Sequence, residues 1–328
     1  MTLAEIRGQE VAVERLRRAL RAGRLGHALV FAGPSGVGKN TTAFALARAL
    51  LCQVRPGEGC DRCAECHLVA AGTHPDLFVE DLERARLDRP SATLLSIDQI
   101  RRMRTRLAGR PIRGSRKVGI IDPADRSTPD AQNALLKTLE EPPGAATIVL
   151  VASNARALVP TILSRSQILR FAPLEPEVVA AILAAEGTDP ELARRSAALS
   201  AGSLDRARIL ADEELCRVGD DVQSRLGELG RMTLPQLLDT ADELAGSRGE
   251  RARERQEIQR AALLEWYRER MIAAANAGPA GDPEEHRAAI RRAWRRLASA
   301  YATCVDLERS ANPPLAWNRL LLDLRSIS

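Results

Sequence analysis

The 328-residue chain is 45% hydrophobic, long enough for two or three domains, and has no apolar run near the ~18–20 residues that cross a bilayer. A formal charge of +5 permits contact with nucleic acid without requiring it, and 3% aromatic residues argue against a broad surface that stacks single-stranded bases. Met1–Arg7 contains Glu5 and no apolar core, so no signal peptide is read, no membrane is involved, and a cytoplasmic location is expected.

Glu10–Arg21 spaces Val13, Leu16 and Leu20 among charges, which predicts an amphipathic helix. Ala28–Ala32 is a short apolar run stopped by Gly33 and reads as a buried strand. Thr42–Leu51, rich in alanine and leucine, predicts a helix. Val118–Asp122 and Ile148–Ala152 read as two further buried strands. Buried strands separated by helices imply an α/β core with a parallel sheet covered on both faces. After Pro173 the strand signals stop. Residues 174–210 read as a small helical unit broken at Gly187 and Gly202-Ser203. The remainder reads as helical, with Ser247–Glu257 as an exposed charged face and Gly278–Pro283 as a loop. The expected organisation is an α/β core over 1–172, a helical lid over 173–210 and an all-α domain over 211–328.

Gly33-Pro34-Ser35-Gly36-Val37-Gly38-Lys39-Asn40 lies between the first strand and the following helix, with the spacing G-x-x-x-x-G-K of a phosphate-binding loop. The glycines let backbone N–H groups converge on phosphate oxygens at a helix N-terminus, and Lys39 would reach the terminal phosphates. The position after the lysine departs from the rule. A Ser or Thr hydroxyl there holds Mg²⁺, and this chain has Asn40, with Thr41 next to it. Asp122, at the end of the second predicted strand, is placed to hold the same cation. The neighbouring glutamate that activates water in a hydrolase is replaced by Pro123, and Asp125, three residues on, is expected to point elsewhere. The pocket therefore reads as one that binds ATP with Mg²⁺, or once did, rather than one that hydrolyses it.

Cys52, Cys60, Cys63 and Cys66 follow C-x7-C-x2-C-x2-C, a spacing that can wrap a tetrahedral ion. Four thiolates leave no open position, so a structural zinc in an insertion over 52–66 is expected rather than a catalytic one. His67 could replace one thiolate, and an iron–sulfur cluster uses the same ligand number. Cys216 and Cys304 stand alone and read as small buried apolar residues.

These segments together resemble the clamp-loader subunits of bacterial replicases built on the AAA+ plan, the delta-prime and gamma/tau chains of DNA polymerase III. The resemblance runs from Gly8-Gln9 through Gly26–Phe31, the phosphate loop, the cysteine insertion and Gly72-Thr73-His74-Pro75-Asp76-Leu77. It continues through Ile97–Arg101, Asn133–Pro143 and Pro160–Ser166, roughly the first half of the chain. His74-Pro75-Asp76, the altered Asn40 and Pro123, and the absence of a long C-terminal extension favour the delta-prime side. The resemblance implies a non-hydrolysing stator in a hetero-oligomer with gamma/tau and delta subunits, which loads a sliding clamp onto primer–template DNA. It implies that Arg165, in Ser164-Arg165-Ser166 where the family has Ser-Arg-Cys, reaches a neighbour's ATP as an arginine finger. It also implies that Arg206 contacts nucleotide from the lid, that Ser153 and Asn154 occupy a sensor position, and that the last domain forms an oligomeric collar. A gamma-like ATPase motor is the alternative.

Arg101, Arg102, Arg104, Arg106, Arg110, Arg113, Arg116 and Lys117 form a basic stretch without an acid. It could follow DNA phosphates, but a solvated helix face explains such a run more simply.

Overall fold

The computed structural model describes residues 1–141, 144–246, 251–277, 283–308 and 312–327. Pro142-Pro143, Ser247–Glu250 of the charged stretch and nearly all of the Gly278–Pro283 segment lie outside the described residues. Contacts divide the chain into two compact units, Met1–Ile182 with Ala201–Asp205, and Leu183–Ser200 with Arg206–Ser328.

The first unit is an α/β layer structure. Its strands are β1 (Ala28–Ala32), β2 (Leu77–Asp81), β3 (Lys117–Asp122), β4 (Ala146–Ala152) and β5 (Gln167–Arg170), all parallel, in the order β2-β3-β4-β1-β5. The three strands read from the sequence are the three in the middle. Side chains alternate across them: Leu29 and Phe31 of β1 join one core, and Ala28 and Val30 join the core on the opposite face. The helices of this unit are α1 (Glu10–Arg21), α2 (Lys39–Leu51), α3 (Ala64–Ala70), α4 (Leu82–Asp88), α5 (Ile97–Ala108), α6 (Pro129–Glu140) and α7 (Pro160–Ser164), with α8 (Pro176–Ala185) beginning in it. Residues of α1 and α2 pack on one sheet face, and those of α5 and α6 on the other. Local chemistry sets their starts: Ser96 and Gln99 form a capping box on α5, and Thr128 caps α6 ahead of Pro129.

The second unit contains only helices among the described residues: α9 (Pro190–Leu199), α10 (Leu204–Leu210, whose first two residues belong to the first unit), α11 (Glu213–Glu228), α12 (Leu234–Ala245), α13 (Ala252–Asn276), α14 (Pro283–Glu308) and α15 (Pro313–Ser326). Its core gathers Val222, Leu237, Leu263, Ala300, Trp317 and Leu320 from five of these helices. Cys304 is buried there, as expected, and Cys216 is half-buried with its thiol donating to the Leu210 carbonyl at 3.0 Å. Among the described residues no helix is long and apolar enough to cross a membrane.

Candidate functional site

The phosphate loop joins β1 to α2 and passes close to two other segments. Gly36 and Gly38 have φ of +74° and +92°, where a side chain is strained. A methyl group on Gly36 would stand 2.1 Å from Ser203 Oγ, and the Gly36 carbonyl accepts the Leu204 N–H at 2.8 Å. The short segment Ala201–Asp205 thus packs on the loop within the first unit. Gln9, 4% exposed, fastens the loop from the other side. Its amide donates to the Val37 carbonyl at 3.1 Å and the Ala172 carbonyl at 2.7 Å, and its oxygen accepts the Ala172 N–H at 3.2 Å.

Lys39 is buried, and its ammonium donates to the carbonyls of Gly33 (2.7 Å) and Pro34. Burial pulls it below the usual lysine range, opposed by the charges of Asp122, Asp125 and Asp205. Asn40 is exposed, and its amide donates to Asp122 Oδ2 at 2.5 Å. Burial raises the Asp122 carboxyl, against the Asn40 hydrogen bond and the Lys39 charge. The two positions that would share a divalent cation are therefore bonded to each other. Thr41 is exposed, whereas Thr42 is buried and spends its hydroxyl on the Gly38 carbonyl at 2.8 Å. Asp125 caps the end of β4, accepting the Ser153 and Asn154 N–H groups at 3.1 and 2.7 Å. Its charge nevertheless reaches Lys39 and Asp122.

Arg165 ends α7. Its guanidinium pairs with Glu140 at 2.8 Å and donates to the Thr161 carbonyl at 3.2 Å, with the side chain 38% exposed. Ser166 donates to the Ile162 carbonyl at 2.8 Å. Arg206 follows directly on Asp205 but belongs to the second unit.

The four cysteines converge. Cys52 closes α2, Cys60 follows a glycine turn, Cys63 caps α3 and Cys66 lies in the first turn of α3. Their sulfurs all lie within 4.8 Å of one another, with Cys52–Cys63 at 3.8 Å and Cys60–Cys66 at 3.9 Å. A tetrahedron with metal–sulfur bonds of ~2.3 Å has edges of about 3.8 Å, so the set fits a zinc-sized ion. Backbone N–H groups of Arg55 and Cys66 point at Cys52 and Cys63 sulfurs (3.2 and 3.4 Å), the donors a thiolate wants. His67, which could have replaced a thiolate, is exposed on α3 and outside the cluster.

Around this cluster lies a set of charges that the spacing did not reveal. Glu65, between two of the cysteines, holds Arg113 through both carboxylate oxygens (2.8–3.1 Å) and His74 at 2.9 Å. His74 Nδ1 accepts the Asp76 N–H at 3.0 Å, which leaves the ring proton on Nε2, the atom 2.9 Å from a Glu65 oxygen. Asp76, buried, accepts the N–H groups of Ile112, Arg113 and Gly114 at 2.7, 2.8 and 3.0 Å. His74-Pro75-Asp76 thereby ties the cysteine lobe to the 112–114 loop. The basic stretch is divided by the same contacts. Arg113 serves Glu65, Arg101 and Arg102 pair with Asp98 and Asp88, and buried Lys117 donates to the Arg106 carbonyl. Arg101, Arg102, Arg106, Arg110 and Arg113 remain exposed, Arg104 and Arg116 are half-buried, and Lys117 is buried.

Residues 8–175 match the family model described as DNA polymerase III, delta subunit. DNA polymerase III subunit delta′ of Bacillus subtilis (strain 168) is 33% identical over 179 residues, covering 55% of this chain and 52% of that protein. Subunit delta′ of Pseudomonas aeruginosa (PAO1) is 37% identical over 186 residues, 52% and 55%. Subunit gamma/tau of Mycobacterium bovis is 34% identical over 184 residues, 56% and 31%. The matched region spans about half the length of these delta′ relatives.

Proposed function

Because the chain belongs to the family of DNA polymerase III delta subunits, we propose that it is the stator of a bacterial clamp loader. In this reading it assembles with gamma/tau and delta subunits, helps them open a sliding clamp and load it on primed DNA, and does not itself turn over ATP. The observation that carries the stator reading is the Asn40–Asp122 hydrogen bond. A hydroxyl and a carboxylate that jointly hold Mg²⁺ are replaced by an amide and a carboxylate that satisfy each other, and Pro123 supplies no base to activate water. The loop retains Lys39 and its glycines, so nucleotide binding without hydrolysis is compatible with it. Residues 1–172 act as the nucleotide-type core, 173–210 as the lid and 211–328 as the collar.

Arg165 acts in trans. A guanidinium aimed at a neighbour's γ-phosphate stabilises the charge that develops on the transferred phosphoryl group. Its half-exposed position at the end of α7, held by a single carboxylate, leaves it able to exchange Glu140 for phosphate oxygens. The four cysteines hold a structural zinc that fixes α3 and the end of α2; the ion supplies no chemistry beyond that cross-link.

The test is ATP turnover, stimulated by DNA and clamp, in an assembly reconstituted with gamma/tau and delta subunits. Arg165→Ala should lower catalysis at the site it serves by about 10³ or more. Total turnover then falls by that site's share while the assembly stays intact by size exclusion. Unchanged turnover would make Arg165 a structural arginine. The buried Lys39 in a complete loop favours a second reading, a gamma-like motor. That reading requires turnover by the isolated chain that disappears in Lys39→Ala.

A further inference from the structure

On α14 the residues Arg287, Arg291, Trp294, Arg295, Ala298 and Tyr301 fall on one face at 100° per residue, and all six are exposed. Trp294 and Tyr301 are 59% and 63% exposed, in a chain with only three tryptophans and two tyrosines. The opposite face supplies Ala300 and Cys304 to the core of the second unit, so the helix needs neither ring for packing. From His286 to Val305 the sequence has five arginines and no acid. Among the described residues no carboxylate pairs with Arg287, Arg291 or Arg295.

We propose that this face of α14 binds single-stranded nucleic acid, with the arginines on phosphates and bases stacked on Trp294 and Tyr301. The inference stands on α14 alone and does not depend on the stator reading. Two rings seven residues apart lie about 10 Å apart along the helix axis, with small Ala298 between them, so each ring leaves a flat surface open. Stacking tolerates any base, and guanidinium groups beside the rings complement a phosphate chain. A second copy of this chain fits poorly, since a two-fold contact through the face would set arginine against arginine. An apolar protein partner fits less well too, because none of the six exposed residues is Leu, Ile, Val or Met, and Val305, which follows Tyr301 on the same face, is half-buried. Overall aromatic content argued against a base-stacking surface. The fold changes that by placing two of the few rings side by side in solvent.

The test uses the full chain and a labelled oligo(dT) of roughly 16 nucleotides, followed by anisotropy at several salt concentrations, with tryptophan fluorescence recorded in parallel. Trp294→Ala and Tyr301→Ala should each weaken binding roughly 5- to 150-fold, the range that loss of one stacked base gives. Arg291→Ala with Arg295→Ala should lower the salt slope by roughly 1.4, two phosphates at about 0.7 each. Binding should quench tryptophan emission in the native chain and not in Trp294→Ala. Arg104→Ala with Arg110→Ala, in the other basic stretch, should change little. Unaltered far-UV circular dichroism would show that the variants fold.

Equal affinity of native chain and both ring variants would overturn the proposal. So would duplex binding as tight as single-strand binding and equally indifferent to the rings, which is charge attraction alone. Loss of self-association or of a protein contact in Trp294→Ala, with oligo(dT) binding intact, would instead assign the face to a protein interface.

Discussion

Removing the Asp76 carboxylate should release the 112–114 loop from the sheet without unfolding the helical unit. Asp76 is fully buried and accepts three backbone N–H groups at 2.7–3.0 Å. Hydrogen bonds to a charged acceptor contribute ~1.5–3 kcal/mol each, so three give about 4.5–9 kcal/mol before discount. Ile112 and Arg113 are exposed, and their N–H groups can reach water once freed, which roughly halves the loss to ~2–4 kcal/mol. Asp76→Ala should therefore lower hydrogen-exchange protection at Ile112, Arg113 and Gly114 by roughly 30- to 1,000-fold. Urea unfolding followed by far-UV circular dichroism should show an earlier loss of the α/β unit. Trp266, Trp294 and Trp317 all lie in the second unit, so tryptophan fluorescence is an internal control that should move little. The same network sets a pH dependence. Burial alone would raise the Asp76 carboxyl, but the three N–H groups outweigh it and hold it below the usual range. A depressed folded value means the contribution is complete above the unfolded value of about 3.9 and is lost as pH falls through the lower folded one. Unaltered exchange at the three amides in Asp76→Ala, with the protein folded, would refute the reasoning.

The remaining expectations are narrower. Freshly purified protein should contain about one equivalent of zinc by elemental analysis, and Cys63→Ser should lose it; less than about half an equivalent would count against the site. Gly36→Ala places a methyl group against Ser203 Oγ at a φ of +74° and should cost ~1–3 kcal/mol, read as a lower unfolding midpoint of the first unit. Gln9→Ala removes three hydrogen bonds that join the phosphate loop to Ala172 and should destabilise that unit by about 2–3 kcal/mol; a change under about 0.5 kcal/mol would mean water replaces them.

The three inner strands were readable because a strand covered on both faces must be apolar throughout, and Ala28–Ala32, Val118–Asp122 and Ile148–Ala152 are short apolar runs. The two strands that were not read, Leu77–Asp81 and Gln167–Arg170, are the sheet edges, where Phe78, Gln167 and Ile168 are only half-buried and the apolar signal is diluted. The phosphate loop and the cysteine set were legible for a different reason. A glycine that must take positive φ and a sulfur that must reach a shared ion both impose spacing along the chain.

Contacts between distant segments impose no spacing. Glu65 reads as one acid among many until folding sets it against Arg113 and His74, 48 and 9 residues away. Asn40 and Pro123 were visible as departures from a motif. That Asn40 spends its amide on Asp122, 82 residues on, became apparent only once β1 and β3 lay in one sheet. Arg165 was singled out by resemblance alone, and its tie to Glu140 was not legible. The eight cations between Arg101 and Lys117 looked like one surface, and the fold divides them between a helix, a loop and a buried strand end. On α14 the reverse holds, since alanine and arginine are mixed around the helix and periodicity marks no outer face. By itself the sequence determined the inner strands, the glycine loop and the four-cysteine set, because local backbone geometry and burial constrain residue type. Tertiary structure decided which charges are neutralised and which rings face solvent, because those depend on what packs beside them.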